Sequence, residues 1–412
     1  MSALAKILFD LDHEVRGADY PKKHFTEESI DSSIIIDSFD KVLLDDDWFY
    51  IIGNAYKSSS VLDEIKEKKL NYEFYPRFIE SFFKMGKIGI TGSHGKTTTT
   101  FFASQLIDKP INVLVGDGTG IGNKNAEYLL FEACEYQNTF LNYTYDYLVV
   151  LNIDYDHPDF FKNENEYIFS FQKAVLNAKN IIINNDCKNC RKIIHKNAIT
   201  FGFDLKSDVV ISKIYNGVKI EFDDEEYSFE FPFYGDHLIY DFVASFIVSF
   251  LVNNDMKSIY KNVKKLSLPK RRFTEYKISN FILINDYAHH PTEIHAVLNT
   301  IKSKYKNTKI VCIFQPHTYS RTIKFLKEFV SELNRADAVY IMPVFSSVRE
   351  CEDEENIMVK AGNNFKEYTR DFYKDYLSCE CVIVFLGAGD IDEEFHFLFK
   401  KLNYWKRFSH ML

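Results

Sequence analysis

The chain has 412 residues, too many for one ordinary hydrophobic core, and its length predicts two or three domains. Hydrophobic residues make up 46% of it and charged residues 26%, which is a globular rather than a disordered composition. The 50 basic and 59 acidic side chains give a net charge of −9, so we expect no nucleic-acid partner.

The N-terminal segment and the longest apolar run both argue against a membrane protein. The opening "MSALAKILFDLDHEV" carries aspartates where a signal peptide needs an apolar stretch. The longest apolar run, 242–252, contains two serines and is shorter than the ~20 residues that span a bilayer, so it predicts a core helix. We therefore expect a soluble, cytoplasmic protein with no membrane partner.

Strand-like runs alternate with helical stretches through the middle of the chain. "KIGIT" (87–91) precedes a predicted helix over 96–107, and another helix is predicted over 166–177. Because such alternation builds parallel sheets, we predict an α/β domain here. Its further predicted strands are 111–116, 128–133, 147–153 and 180–184, followed by an antiparallel meander over 209–233.

A second α/β series follows the basic stretch "KNVKKLSLPKRRF" (261–273). We interpret the lysines of this stretch as a solvated helix face and a linker, and its end as a domain junction. The predicted strands of the second series are 281–287, 309–315, 338–344 and 382–389.

The stretch "KIGITGSHGKTTTT" (87–100) carries the clearest functional signal. Only 16 glycines occur in the chain, and half of them lie between Gly86 and Gly122. A glycine loop between a strand and a helix presents backbone N–H groups to an anion. Lys96 can reach terminal phosphates there, and Thr97 can bind Mg²⁺. The spacing departs from the common phosphate-binding loop, and the alternative is a glycine turn that caps a threonine-rich helix.

Acidic and imidazole side chains follow the next predicted strands. Glu132 ends one strand, and Asp154, Asp156 and His157 follow another. Ligands gather at the carboxyl ends of strands in open α/β sheets, and these side chains suit a divalent metal on nucleotide phosphates. Any one of them alone is more often structural.

Four predicted strand ends in the last third carry polar loops, which predicts one shared edge that faces a substrate. A histidine pair by itself is more often a helix N-terminal feature than a catalytic one. The residues at these ends are Asp286, Tyr287, His289, His290, His317, Arg321, Arg349, Glu350 and the loop 386–391.

The seven cysteines show no regular framework. Cys187 and Cys190 have zinc-knuckle spacing, but no second pair stands at a matching interval. We therefore expect reduced thiols rather than a structural metal site.

Six motifs, in order and over nearly the whole chain, resemble those of the Mur ligases: "TGSHGKTTT", "EACEYQNTFL", "NIDYDHPDFF", "NDYAHHPTEI", "FQPHTYSRT" and "GAGDI". The resemblance is strongest to members that join L-alanine to UDP-N-acetylmuramate. It implies a three-domain α/β architecture: a UDP-substrate-binding domain (1–85), a central ATPase domain with a parallel sheet (86–268) and a Rossmann-like amino-acid-binding domain (269–412).

The resemblance also implies roles for individual residues. ATP would be bound by Gly92, Ser93, His94, Gly95, Lys96, Thr97, Thr98, His237, Arg272 and Asp286. Mg²⁺ would be held by Thr97, Glu132 and His157. Catalysis would depend on Lys96, His157, Arg272 and His289. The other substrates would contact Tyr287, His289, His317, Arg321 and Arg349.

The implied reaction uses ATP and Mg²⁺ in peptidoglycan precursor synthesis. ATP would phosphorylate the lactyl carboxylate of UDP-N-acetylmuramate, and the amine of L-alanine would attack the acyl phosphate and release phosphate. We expect a monomer or a homodimer.

Two departures from the family pattern leave alternatives open. The family opens with a strand and a glycine-rich loop for uridine diphosphate, and this sequence starts at the family's Met-Ser, so we expect an incomplete first domain. The adenine segment G-x-H-N-x-x-N reads "GDHLIYD", with Leu238 and Asp241 replacing asparagines, which predicts altered adenine recognition. The alternatives are a related amide ligase, such as a muropeptide-recycling enzyme, and a degenerate nucleotide-binding homologue without ligase activity.

Overall fold

The computed structural model describes residues 1–19, 26, 30, 31, 34–36, 44–253, 255–345, 357–362 and 364–409. They divide into two units. The first comprises Met1–Tyr155, Asn163–Pro232 and Ile239–Ser267, and the second comprises Asp156–Lys162, Phe233–Leu238 and Leu268–Leu412. The predicted boundaries of three domains stay a prediction.

Short elements make up the first part of the first unit. They are α1 (Ser2–Asp10), β1 (Gly17–Ala18), β2 (Ile35–Ile36), β3 (Tyr50–Ile52), α2 (Ser60–Glu67), β4 (Tyr72–Phe74) and α3 (Tyr75–Phe82). β1 pairs with β2 and β3 pairs with β4, both in parallel. α1 buries Leu4, Ile7 and Leu8, whose spacing places them on one helical face. α2 begins after Ser59, whose hydroxyl accepts the Leu62 amide as an N-cap.

A ten-stranded sheet dominates the first unit, in the order β14-β13-β12-β11-β10-β9-β5-β8-β6-β7. Its strands are β5 (Gly86–Thr91), β6 (Ile111–Leu114), β7 (Gly120–Ile121), β8 (Tyr128–Glu132), β9 (Tyr145–Val150), β10 (Ala178–Asn184), β11 (Ala198–Gly202), β12 (Val209–Ile214), β13 (Gly217–Phe222) and β14 (Glu225–Glu230). The strands from β6 through β8, β5, β9, β10 and β11 to β12 are parallel, whereas β12, β13 and β14 pair in antiparallel fashion. The predicted parallel domain and the predicted meander are both confirmed.

β5 lies between β9 and β8 in the interior of this sheet, so the loop that follows it emerges among the carboxyl ends of its neighbouring strands. Ile88 and Ile90 of β5 are fully buried, as expected for a strand covered on both faces. The helices of this unit are α4 (Lys96–Leu106), α5 (Glu164–Val175), most of α6 (Asp236–Asn253) and α7 (Met256–Val263). α4 packs on β5, β6 and β8 and thereby fixes the loop between β5 and α4.

α6 contains the predicted apolar core helix. By length and composition alone it could cross a membrane, but 67% of its apolar window is buried inside the protein. Phe242, Val243 and Phe246 are fully buried. The burial supports the core-helix interpretation over a membrane span.

The second unit contains a six-stranded sheet in the order β15-β16-β20-β17-β18-β19. Its strands are β15 (Thr274–Ile278), β16 (Phe281–Asp286), β17 (Lys309–Phe314), β18 (Ala338–Ile341), β19 (Phe365–Glu367) and β20 (Cys381–Leu386). Its helices are α8 (Pro291–Lys304), α9 (Tyr319–Lys324), α10 (Leu326–Leu333), α11 (Ile357–Ala361) and α12 (Ile391–Ser409). Only the β15–β16 pair is antiparallel among these described strands.

Separate apolar clusters cover the two faces of this sheet. One includes Ile294 and Leu298 of α8 together with Phe329 of α10. The other includes Phe395 and Leu398 of α12. Helices on both faces of a mainly parallel sheet make a doubly wound α/β unit, as predicted.

Candidate functional site

The glycine loop joins β5 to α4 as predicted, and two of its glycines are required by the backbone. Gly92 has φ +147° and Gly95 has φ +85°, in the region that favours glycine. A Cβ on Gly95 would overlap the carboxylate of Asp241, and a Cβ on Gly92 would lie 3.0 Å from Cβ of Leu151. The chain therefore needs glycine at both positions to form this loop.

The segment 152–154 holds the loop through paired hydrogen bonds. Asn152 accepts the His94 amide through Oδ1 at 2.9 Å and donates through Nδ2 to the His94 carbonyl at 3.0 Å. The Ser93 hydroxyl donates to the Asp154 carbonyl at 2.7 Å and accepts the Asp154 amide at 2.9 Å. Nε2 of His94 lies 3.1 Å from Oδ2 of Asp154. Asp154, which the sequence offered as a metal ligand, here orients the loop.

Lys96, the first residue of α4, extends its ammonium group back into the loop. Nζ donates to the carbonyls of Gly92 at 2.5 Å and Ser93 at 3.2 Å, and it lies 2.9 Å from Oε2 of Glu135. Burial lowers the pKa of Lys96, but Glu135, Cys134 and Glu132 together outweigh burial and leave that pKa raised. The positively charged Nζ of Lys96 is thus held by two carbonyl oxygens of the glycine loop and by the Glu135 carboxylate.

Glu135 is a residue that the sequence analysis missed. Its side chain is 1% exposed and pairs with Lys96, whereas the predicted Glu132 uses Oε1 to accept the Gly116 amide. Glu132 is still close enough to contribute to the raised pKa of Lys96. The signal was in the same motif, "EACEYQNTFL", where Glu135 stands three residues after Glu132.

Thr97 and Thr98 occupy the first turn of α4, directly after Lys96. Thr97 is partly exposed and Thr98 is buried. Beneath the same turn, Asp241 of α6 accepts the hydroxyl of Thr99 at 3.1 Å. From the sequence, Asp241 was a replacement of an adenine-segment asparagine that predicts altered adenine recognition, and in the structure its carboxylate lies against Gly95 and α4.

In the second unit, the polar loops share one sheet edge, as predicted. β16, β20, β17 and β18 are consecutive parallel neighbours, so the residues after Asp286, Phe314, Ile341 and Leu386 emerge on the same side. Arg349 lies outside the described residues, and so does Glu350.

Tyr287, His289 and His317 form an aromatic cluster at this edge. The ring of His289 lies 5.3 Å from that of Tyr287 and 5.8 Å from that of His317. Burial lowers the pKa of His289 to about 3, so its imidazole is neutral at physiological pH. His317 stacks on Phe345 at 5.5 Å.

Arg321 makes a buried bidentate ion pair with Asp156. Nε lies 2.9 Å from Oδ1 and Nη2 lies 3.1 Å from Oδ2, and the two side chains are 7% and 5% exposed. Burial alone raises the pKa of Asp156, but Arg321, with smaller contributions from His157 and His290, holds that pKa well below its usual range. Asp156 was a metal-ligand candidate and Arg321 a predicted substrate contact, but in the structure the two side chains pair with each other.

His157 follows in a tight turn, with φ +55°. Its amide donates to Asp156 Oδ1 at 2.7 Å, and its carbonyl accepts the amides of Phe160 and Phe161. His157 belongs to the second unit, whereas Thr97 and Glu132 belong to the first. The three-residue metal site predicted from sequence stays a prediction.

Arg272 lies among other predicted residues of the second unit. Nη1 is 3.7 Å from Oε1 of Glu293, and the guanidinium stands 5.2 Å from the ring centre of Tyr287. Burial and the charge of Arg272 lower the pKa of His237 to about 4. The neighbouring Arg271 donates instead to the carbonyls of Gly387 and Gly389, which is a structural role.

Asp286 and His290 organise the backbone at this edge. Asp286 is buried and accepts the amides of Phe273 at 2.7 Å and Ala288 at 2.8 Å. His290 is the N-cap of α8 and forms a capping box with Glu293. The interpretation of the histidine pair as a helix N-terminal feature is correct for His290. The ribose-binding role of Asp286 stays a prediction.

A separate cavity of about 1080 Å³ lies in the first part of the first unit. β1, β2 and β3 contribute to its walls, together with the N-terminus of α1. Arg16 and Trp48 line it, with the guanidinium 4.5 Å from the indole ring centre. Its size suits a ligand larger than an amino acid.

Comparisons with known proteins extend over both units. Residues 90–249 match the Mur ligase middle domain, and residues 271–379 match the Mur ligase glutamate ligase domain. Similar solved structures include UDP-N-acetylmuramate-alanine ligase MurC from Thermotoga maritima, with a TM-score of 0.80, 22% identity, and 98% of this chain and 96% of that chain covered. A murein peptide ligase from Psychrobacter arcticus 273-4 gives a TM-score of 0.71 at 18% identity, with 98% and 96% covered. A pseudomurein peptide ligase type C from Methanothermus fervidus gives 0.68 at 16% identity, with 97% of each chain covered.

Proposed function

Because it carries the middle and glutamate ligase domains of the Mur ligases in order, the chain belongs to the Mur ligase family, and we propose that it joins L-alanine to UDP-N-acetylmuramate. The family and the α/β fold class predicted from the motifs are confirmed. The proposed enzyme is an ATP-dependent amide ligase of peptidoglycan precursor synthesis in the cytoplasm.

The observation that carries the ligase proposal is the charged Lys96 inside the glycine loop. In the structure its ammonium contacts loop carbonyls and Glu135 at 2.5–3.2 Å, contacts that terminal phosphates would take over in part. The loop glycines give phosphate oxygens close access to backbone N–H groups. A merely structural glycine turn has no need of a partly buried lysine that folds back into the loop.

The donor set around Lys96 also fits magnesium. The Thr97 hydroxyl and the carboxylates of Glu132 and Glu135 are the hard oxygen ligands that Mg²⁺ prefers. We propose that Thr97 with one or both carboxylates holds the ion beside the nucleotide, where it offsets phosphate charge. His157 stays a proposed further ligand on the strength of the family resemblance.

The second unit supplies groups suited to carboxylate and amine substrates. Arg272, beside Tyr287 and Glu293, is the proposed contact of the transferring phosphoryl group. With a pKa of about 3, His289 is too weak a base to take a proton from the alanine ammonium at neutral pH. We propose that its neutral ring, with His317, orients the substrates through hydrogen bonds.

The N-terminal cavity is the proposed place for the nucleotide sugar. Its volume of about 1080 Å³ accommodates a large polar ligand, and the Arg16 guanidinium on its wall can pair with a diphosphate. The indole of Trp48 offers a stacking face for a base.

Product formation in the presence of Mg²⁺ tests this proposal. ADP release should require both UDP-N-acetylmuramate and L-alanine, and mass spectrometry should find the nucleotide sugar enlarged by one alanine less water. Lys96→Ala should abolish both signals. Lys109→Ala is the matched control, because Lys109 forms an exposed surface pair with Glu127 and should leave activity unchanged.

The same assay separates the alternatives. ADP release with the tripeptide L-Ala-γ-D-Glu-meso-diaminopimelate, and none with L-alanine, would establish a recycling ligase instead. The likeness to the Psychrobacter arcticus murein peptide ligase keeps this alternative open. ATP binding without ADP release on any substrate would establish the degenerate homologue.

A further inference from the structure

Cys187 and Cys190 lie outside every group used above, yet they contact the segment that holds the phosphate loop. The carbonyl of Cys187 accepts the amide of Arg191 at 3.1 Å, so the two cysteines share one helical turn. Residues three apart on such a turn have Cβ atoms about 5–6 Å apart, and a small adjustment brings them to disulfide distance.

The two sulfur atoms differ in exposure and in surroundings. Cys187 is partly exposed, whereas Cys190 is buried, with 1% of its surface exposed. The Cys187 sulfur accepts the Ile153 amide at 3.4 Å, and the Cys190 thiol and the amides of Cys190 and Asn189 also act on it as donors. These donors, the Cys190 thiol first, lower the pKa of Cys187 to about 6. Burial raises the pKa of Cys190.

Ile153 connects this pair to the loop. Its amide donates to Sγ of Cys187 at 3.4 Å, and its carbonyl accepts Nδ2 of Asn189 at 2.9 Å. The residues on either side, Asn152 and Asp154, are the two that bind Ser93 and His94 of the glycine loop. Residues 187–190 therefore hydrogen-bond to Ile153, the central residue of the segment 152–154 that holds the glycine loop.

We propose that Cys187 and Cys190 are an oxidant-reactive dithiol that closes to an intramolecular disulfide and thereby weakens the support of the phosphate loop through Ile153. Cys187, partly exposed and surrounded by donors, is the attacking thiolate. Cys190, buried beside it, is the resolving thiol. A zinc site is disfavoured, since no third and fourth cysteine or histidine ligand stands with them among the described residues.

The reaction with hydrogen peroxide balances in two steps. The Cys187 thiolate attacks one peroxide oxygen, the O–O bond breaks, and Cys187 becomes a sulfenic acid while the departing hydroxide takes a proton to form water. The Cys190 sulfur then attacks the Cys187 sulfur, losing its proton, and the sulfenic hydroxyl leaves as a second water. Two thiols are oxidised to one disulfide and one peroxide is reduced to two waters. A dithiol reductant reverses the change.

Peptide mapping of the full chain after treatment with hydrogen peroxide tests the site. A Cys187–Cys190 disulfide, lighter than the reduced peptide by two hydrogens, is expected. Cys190→Ser should stop at a sulfenic acid on Cys187 that a 1,3-diketone traps, and Cys187→Ser should give no such adduct. Iodoacetamide at pH 7 should label Cys187 at least tenfold faster than Cys379, the matched control that is also partly exposed.

Three results would overturn the proposal. They are equal labelling rates for Cys187 and Cys379, a disulfide formed elsewhere but not here, and stoichiometric zinc that is lost in both serine variants. If Cys190→Ser fails to fold, Cys190→Ala serves in its place, because alanine also fills a small buried site.

The expected effect of the disulfide on the phosphate loop rests on the proposed function, and it is measured separately, as ATP binding. Calorimetry should show ATP binding roughly tenfold weaker in the oxidised than in the reduced protein, as loss of a charged hydrogen bond implies. The double variant Cys187→Ser/Cys190→Ser should bind ATP equally before and after peroxide. Unchanged ATP binding by a mapped disulfide would refute the coupling. No ATP binding by the reduced protein would instead refute the proposed function and leave the mapping result standing.

Discussion

Replacement of Arg321 by methionine would remove one half of the buried ion pair with Asp156. The pair is bidentate, at 2.9 and 3.1 Å, and both side chains are less than a tenth exposed. Methionine keeps much of the alkyl packing of arginine but leaves the Asp156 carboxylate buried without its cation. Breaking such a pair costs about 3–5 kcal/mol, which is more than a hundredfold in the equilibrium for opening the segment.

Hydrogen exchange of the full chain, read by mass spectrometry, measures this opening locally. Peptides over 156–162 and 319–324 should lose protection in Arg321→Met. The double variant Asp156→Asn/Arg321→Met should recover part of the loss, because it removes the unpaired charge. Arg370→Met is the control: Arg370 pairs with Glu394 at 2.7 Å but is 59% exposed, so little change is expected. Equal effects of the two arginine variants would refute the reasoning.

The same pair predicts a pH dependence. The folded-state pKa of Asp156 is depressed, so its contribution is complete above the unfolded pKa of ~3.9 and is lost as the pH falls through the folded value. The 156–162 segment should therefore lose protection in acid below about pH 4. If Asp156→Asn loses protection over the same acidic pH range as the wild type, other groups cause that loss.

Three further predictions concern the loop and His289. Gly95→Ala should abolish ATP binding, since its Cβ overlaps Asp241 at a φ of +85°; calorimetry that finds wild-type affinity would contradict this. Asp241→Asn should tighten ATP binding roughly threefold and leave the preference for ATP over GTP unchanged, because a negative charge near the phosphates is removed; a changed base preference would return Asp241 to the adenine site. Between pH 7.5 and pH 5, urea unfolding of His289→Gln should show a loss of stability about 2 kcal/mol smaller than that of the wild type. The pKa of about 3 in the folded protein lies below the ordinary histidine value of 6.5, so the wild type loses stability as the pH falls through 6.5 and the unfolded chain takes up a proton. Equal pH dependence in variant and wild type would show that His289 titrates normally.

The sequence predicted the strand, loop and helix of residues 86–106 because the constraint there is local. Gly92 and Gly95 adopt a backbone that other residues avoid, and Lys96 follows at once. The shared edge of the strand ends in the second unit was also predictable, since β-α-β connections place successive strand ends on one edge. The loop and the shared edge both follow from residues that are close to one another in the sequence.

The partners of individual carboxylates were not predictable in this way. Asp156 pairs with Arg321 across 165 positions, a distance over which local spacing carries no information. Glu132 and Glu135 stand in one motif, and which of them reaches Lys96 depends on a turn in which Gln137 and Asn138 adopt positive φ. Neither residue is a glycine, so the turn left no clear signal in the sequence.

Asp241 shows how the structure changes the weight of the competing hypotheses. As a substitution in the adenine segment it favoured a degenerate homologue, because a carboxylate cannot donate as an amide does. In the structure the carboxylate accepts the Thr99 hydroxyl beneath the loop, so its acceptor capacity is used and an amide donor is not required there. Its negative charge lies beside Gly95 of the loop, so we expect it to weaken phosphate binding. An intact phosphate loop is compatible with a working ligase, so Asp241 by itself does not favour a homologue without activity, whereas Leu238 stays a departure from the family pattern.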